Sequence, residues 1–436
     1  MSGECLNLFF VRTDAGCPFP APLETARSRL SPMIPSDSDP IVPEPPPLPS
    51  ASGSPTFAVT RKAPSGLYRV LLPMIAAMVS GLFLEGEIGH LLLASWEVAL
   101  LAVMCVLAYA GRTRRFSRVL SWLLLAVLLM GTVFLNIVLS YGAIHGLDDK
   151  PGRSTASDES VGLAVLVVFV LSIGAALAGL LARSSGFRRL CPVPIADGEW
   201  TGVRVLALAA VGSFTLLLFV PLVVLGEPPL LAIIRHSSDP AHLFDNERGV
   251  AGMLRDQLYS MCWTLLGAAL AVGYGINRGW PETLDRLGLK RASRRQVWMA
   301  VALTGLFLLL AQCLDAGITS VWKYFGWAMT DTTAVEALFA PMISVVGAVV
   351  VGITAGVGEE VVVRGILQPR MGIFLSNLFF TSMHAYQYSW DGLLAVFLIG
   401  LGLGFLRKKT STTVSAIVHG SYDFVLILWA ALMGGF

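Results

Sequence analysis

Two adjacent carboxylates, Glu359 and Glu360, and one guanidinium, Arg364, are the only charged side chains between Phe339 and Leu367. An ionisable group at membrane depth costs about 2.5–3.5 kcal/mol on insertion scales, so each needs a partner or a task. Glu360 and Arg364 are four residues apart, the spacing of an intrahelical ion pair. On an α-helix Glu359 is turned about 100° from its neighbour and cannot share that pairing well. The expectation is one structural glutamate, Glu360, paired with Arg364, and a second, Glu359, free to act as a base.

Two further polar sites follow: Phe380-Thr381-Ser382-Met383-His384, then His419-Gly420-Ser421-Tyr422-Asp423. Phe380 and His384 share a helical face, as do His419 and Asp423. Their depths agree. With a turn at Arg370–Gly372, Glu359 lies about 16 Å from the turn and His384 climbs about 18 Å on the returning helix. His419, counted from the basic edge at Lys409–Thr410, lies about 14 Å in. All three reach one level, about halfway across a hydrocarbon core of about 30 Å, which predicts a common polar site. A desolvated glutamate is a better base near neutral pH than a solvated one. Donors pre-aimed in a low-dielectric cavity are worth about 3 kcal/mol each toward a developing oxyanion.

The elements that must position these groups are membrane helices. The chain has 436 residues, 55% hydrophobic and 14% charged, with a mean hydropathy of +0.70; soluble domains carry about a quarter charged residues. The net charge of +2 is dispersed between apolar runs, which argues against a nucleic-acid partner. Six cysteines show no paired or metal-type spacing, so no disulfide framework is expected. Residues 1–66 include Pro43-Glu44-Pro45-Pro46-Pro47-Leu48-Pro49 and read as a disordered, proline-rich cytoplasmic tail.

From Leu67 onward the pattern predicts an all-α, polytopic transmembrane bundle of about eleven spans. They are placed near 67–84, 88–110, 119–141, 161–182, 203–225, 258–277, 297–314, 338–369, 372–390, 391–406 and 412–433. Basic loops at Arg112–Arg118, Arg183–Arg189, Arg286–Arg295, Arg370 and Arg407–Lys409 alternate with acidic or mixed loops at Glu85/Glu87, Asp148/Asp149, Asp239/Asp245/Glu247 and Asp331/Glu336. The positive-inside rule then puts the amino terminus in the cytoplasm and the carboxyl terminus outside. Basic residues are mostly arginine, a compositional hint of a GC-rich bacterial genome and thus a bacterial plasma membrane. Gly356 and Gly358, and Gly400, Gly402 and Gly404, are read as sites of close helix packing.

Glu-Glu-x-x-x-Arg, then Phe-x-x-x-His, then His-x-x-x-Asn/Asp in successive membrane helices resembles the CPBP family. That family comprises the type II CAAX prenyl endopeptidases and bacterial proteins grouped with bacteriocin self-immunity. The resemblance covers about residues 258–436, a peptidase-like core, and leaves 67–257 as an accessory region of about five spans. It implies that Glu359 is the general base, that His384 helps hold the attacking water, and that His419 and residue 423 stabilise the oxyanion. Glu360 and Arg364 would organise the helix. Asp423 departs from the asparagine usual in the prenyl endopeptidases, and an ionised aspartate cannot donate to an oxyanion. Either burial keeps it protonated, or it accepts a bond from His419 and favours the imidazolium.

The expected activity is intramembrane hydrolysis of a peptide bond, by a glutamate-activated water, in a membrane-anchored or membrane-embedded peptide or lipidated protein. No cofactor is required by that chemistry. A zinc alternative would use Glu359, His384 and His419, two imidazoles and a carboxylate, although His-Glu-x-x-His is absent. Intramembrane Glu, His and Asp also build proton-coupled transporters, and a non-catalytic immunity or scaffold protein on the same fold is the third reading.

Overall fold

The computed structural model describes residues 67–145, 158–181, 201–237 and 249–434. The expected tail at 1–66 lies outside them. The described residues form helices and no strands: α1 (Leu67–Gly81), α2 (Gly86–Leu93), α3 (Trp96–Ala110), α4 (Arg115–His145), α5 (Asp158–Leu180), α6 (Thr201–Leu225), α7 (Pro229–His236), α8 (Gly249–Ala271), α9 (Trp280–Leu287), α10 (Arg294–Phe325), α11 (Thr332–Phe339), α12 (Val345–Ile353), α13 (Gln368–Met383), α14 (Trp390–Lys409) and α15 (Thr412–Gly434). Two π-helical segments, Thr354–Glu359 and Val361–Leu367, join α12 to α13.

Among the described residues, seven helical runs are long and apolar enough to cross a membrane, and eight if the pair α2–α3, bent by 48°, is one span. This is an integral membrane protein. Phe116, Phe134 and Leu309 are each at least 67% exposed, and such apolar faces suit lipid rather than water. The count falls short of the expected eleven for identifiable reasons. In the first expected span the apolar stretch is only Leu72–Gly81, too short to cross. The sixth overlaps α8, which ends at Ala271 and whose amino-terminal half carries Arg255, Asp256 and Gln257.

The eighth and ninth expected spans form one helical run, Val345–Met383. As a straight rod its 39 residues would measure about 58 Å, nearly twice the hydrocarbon core. The run doubles back at Gly372 instead, where φ is 81° and ψ 175°, a conformation that glycine adopts without strain. Arg364 and Phe380, eight residues either side of the turn, meet with the guanidinium 4.6 Å from the ring centroid. Both arms lie against α14: Arg364 Nη2 donates to the Gly400 carbonyl at 3.0 Å and Asn377 Nδ2 to the Phe397 carbonyl at 2.8 Å.

Helix ends follow local chemistry. Ser293 caps α10, accepting from the Gln296 N–H while its own N–H donates to the Gln296 side chain. A left-handed Gly326 ends that helix. Apolar packing then joins the elements. Ala300, Phe307, Leu403, Val414 and Val418 tie α10, α14 and α15 together. Leu208, Ala268, Leu287, Val361 and Met371 connect α6, α8 and α9 to the hairpin.

Several of the described basic segments lie close together. Arg370, at the hairpin turn, donates to the Tyr109 hydroxyl at 3.1 Å and the Ala271 carbonyl at 2.8 Å. Arg286 donates to the Gly365 carbonyl, and Thr412 to that of Leu287.

Candidate functional site

The site grows from the irregular helix before the hairpin. Two π segments widen the turn on either side of Glu360, so the regular α geometry expected for Glu359–Arg364 does not apply. Such π turns occur frequently at functional sites. The Glu360–Arg364 pair still forms, with Nη1 to Oε1 at 3.2 Å and both side chains buried. Arg364 also lies over Phe380 and reaches the Gly400 carbonyl, so three elements share one guanidinium.

Helix α15 supplies the next layer. Ser415, His419 and Asp423 form a stripe at four-residue spacing. The Ser415 hydroxyl donates to Glu360 Oε2. His419 Nδ1 lies 3.0 Å from Glu360 Oε1, and its Nε2 lies 3.5 Å from Asp423 Oδ2. A carboxylate only accepts, so Nδ1 carries a proton. The His419–Asp423 separation is that of an ion pair rather than a good hydrogen bond. Glu360 is thus fully occupied: one oxygen takes Arg364 and His419, the other Ser415.

Glu359 stays outside this network. Among the described residues no hydrogen bond or ion pair engages its half-buried carboxylate. Its charge nevertheless acts on His419, Asp423 and Tyr388, which places it in the same polar region.

His384 ends the returning arm of the hairpin. Its Nδ1 lies 3.0 Å from the Phe380 carbonyl. A carbonyl cannot donate, so Nδ1 bears the proton and, in the neutral ring, Nε2 is left as an acceptor. Phe380 sits edge-on to both imidazoles, 4.9 Å from His384 and 6.0 Å from His419 between centroids. One buried ring therefore sets the spacing of the two histidines.

The turn after His384 is pinned from two sides. Buried Asp391 accepts from the Thr330 N–H at 2.9 Å and its hydroxyl at 2.6 Å, while the Ser389 N–H donates to Thr330 Oγ1. From α4, Asn136 accepts from the Tyr386 hydroxyl at 2.6 Å and donates to Ser172 and the Leu217 carbonyl.

The structure thus brings Glu360, Arg364, His419 and Asp423 together as one network, with Glu359 and His384 beside it. Among the described residues no group of three or more His, Cys, Asp or Glu is placed to hold a metal ion. Ser415 and Tyr388 escaped the sequence reading. The signal was present, since Ser415 lies four before His419 and Tyr388 four after His384.

Fold and site together describe a polytopic, all-helical membrane protein with a carboxylate–arginine–histidine network buried among its last helices. Residues 340–425, which carry all six site residues, match the family described as "Type II CAAX prenyl endopeptidase Rce1-like", and this likeness supports the resemblance to the CPBP/CAAX proteases. No curated protein and no solved structure matches the chain.

Proposed function

We propose that the protein is an intramembrane endopeptidase in which Glu359 activates a water against a peptide bond of a membrane-anchored substrate. Its peptidase core is 258–436, with 67–257 as an accessory region that braces the site. One observation carries the reading: Glu360 is saturated by Arg364, His419 and Ser415, whereas adjacent Glu359 is free and shares their polar region. A saturated carboxylate is a poor base, and a free one in the polar region of His419 is a better one.

The residues divide the work as follows. His384 Nε2 accepts a hydrogen bond from the water and orients it. Glu359 takes the water's other proton as the oxygen bonds to the substrate carbonyl carbon and the carbonyl π pair moves onto its oxygen. His419 sits between two carboxylates, its Nδ1–H on Glu360 and its Nε2–H turned toward Asp423 and that oxyanion. When the oxyanion pair returns, the C–N bond breaks and Glu359 gives its proton to the departing amine. Phe380 and Arg364 keep the two imidazoles in place.

The family description points to prenylated carboxyl-terminal tails as the substrate class. Entry is from the end where Arg286, Arg370 and Arg407–Lys409 gather, the cytoplasmic side by the positive-inside rule. The setting is a bacterial plasma membrane, amino terminus inside and carboxyl terminus outside. Membrane peptides from cells carrying wild type or Glu359→Gln test the activity. New peptide ends that depend on Glu359 support it. Identical ends, with an unchanged cellular phenotype, favour a scaffold, and a Glu359-dependent proton flux without cleavage favours a transporter.

A further inference from the structure

Aspartate at position 423 leaves one requirement of this reaction unmet. Tetrahedral oxyanions are stabilised by donors aimed at the developing charge, and each missing donor costs about 10²–10³-fold in rate. His419 offers one donor, because its Nδ1 is committed to Glu360 while Nε2 faces Asp423 at 3.5 Å. An ionised aspartate has no proton to give. The second donor must come from elsewhere.

Tyr388 is placed for it. Its ring stacks on that of His384, centroids 6.1 Å apart and planes 15° from parallel. Gly392 makes the position available, since a Cβ there would stand 2.9 Å from Tyr388 Cβ and 3.2 Å from Cδ1. Leu222, Ala385 and Leu393 pack beside it and hold the phenol against the site. The charges of both Asp423 and Glu359 act at its hydroxyl. A phenol keeps its proton at neutral pH and so brings an O–H donor to a region crowded with acceptors.

We propose that the Tyr388 hydroxyl is the second hydrogen-bond donor to the oxyanion, in the role that Asp423 cannot fill. The inference rests on Glu359 being the base of a peptidase. As the water oxygen bonds to the carbonyl carbon, the new oxyanion accepts from Tyr388 Oη–H and His419 Nε2–H. No proton leaves the tyrosine. The pair then returns, the C–N bond breaks, and the amine carries away the proton held by Glu359.

Full-length variants in native membranes test this, read as the rate at which new peptide ends appear by mass spectrometry. Tyr388→Phe keeps the ring and removes the donor, so the rate should fall about 10²–10³-fold. Adding Asp423→Asn to Tyr388→Phe restores an amide N–H to the same region and should recover at least about tenfold. That recovery separates a lost donor from a lost fold. Identical peptide ends in wild type and Glu359→Gln overturn the peptidase reading and this inference with it. Glu359-dependent cleavage that Tyr388→Phe leaves at the wild-type rate, or that the double variant fails to recover, overturns this inference alone.

Discussion

His419 Nδ1 lies 3.0 Å from Glu360 Oε1, the same oxygen that Arg364 Nη1 reaches at 3.2 Å. One buried carboxylate oxygen thus joins its own helix to a histidine far along the chain, and removing its charge strands a buried guanidinium. Glu360→Gln should destabilise the protein by about 3–5 kcal/mol. Glu359→Gln breaks no such pair, so it should stay within about 0.5 kcal/mol of wild type while abolishing cleavage. Thermal unfolding in detergent compares the two. Equal destabilisation would mean that the glutamates do not divide structure from chemistry in this way.

Arg364 serves Glu360, the Gly400 carbonyl and the Phe380 face at once. A lysine ammonium carries the charge but not the flat fork that meets all three. Arg364→Lys should therefore cost about 1–3 kcal/mol. Because Phe380 sets both imidazoles, cleavage should fall too, in parallel with unfolding temperature. Wild-type stability in this variant would show that charge alone is what the site needs.

How much of this was legible varied with the range of the interaction. The Glu360–Arg364 pair and the His419–Asp423 stripe follow from four-residue spacing, so local geometry revealed them. The turn near Gly372 was expected at the basic break Arg370–Gly372, and the shared depth expected of Glu359, His384 and His419 was counted from it by rise per residue. The hairpin bears out the turn, with Arg364 meeting Phe380 across it. What could not be read was which carboxylate His419 would choose. That choice depends on how α15 crosses the hairpin, and on π turns that no propensity announces. The full span count is not matched for a related reason: apolar patterning does not distinguish a crossing helix from a short packed one such as α1. Asp391–Thr330 and Asn136–Tyr386 join residues far apart in sequence, and periodicity carries no information about such pairs.

Asn136 gives the accessory region a testable task. It is fully buried on α4, and its side chain ties Ser172, the Leu217 carbonyl and the Tyr386 hydroxyl into one point. Tyr386 lies two residues after His384, on the turn that follows the histidine proposed to hold the water. Asn136→Ala leaves that hydroxyl without its acceptor, at a cost of about 1–3 kcal/mol. Cleavage should drop and hydrogen exchange should rise in residues 384–389. If exchange rises only in α4, the accessory helices do not brace the site.

Glycines bring the hairpin close to α15 one turn from where His419 reaches Glu360. A Cβ on Gly356 would stand 2.6 Å from Gly420 Cα and 2.7 Å from the Ala416 carbonyl oxygen. One on Gly352 would meet the Gly420 carbonyl oxygen at 2.8 Å. Backbone cannot yield as a flexible side chain can, so the helices must separate to admit a methyl. Small residues four apart are the usual means by which membrane helices come this close. Gly358 is different, with nothing nearer than Met261 Cγ at 3.9 Å, and the packing role expected for it is not needed. Gly356→Ala should therefore destabilise by about 1–3 kcal/mol through overpacking. Gly358→Ala should be neutral or stabilising by about 0.5 kcal/mol, since alanine restricts the unfolded chain. Moving α15 outward also lengthens the His419–Glu360 contact, so Gly356→Ala should lose cleavage beyond its loss of stability. Thermal unfolding and cleavage measured on both variants decide the matter: equal behaviour would show that the glycine seam does not set the register of the site.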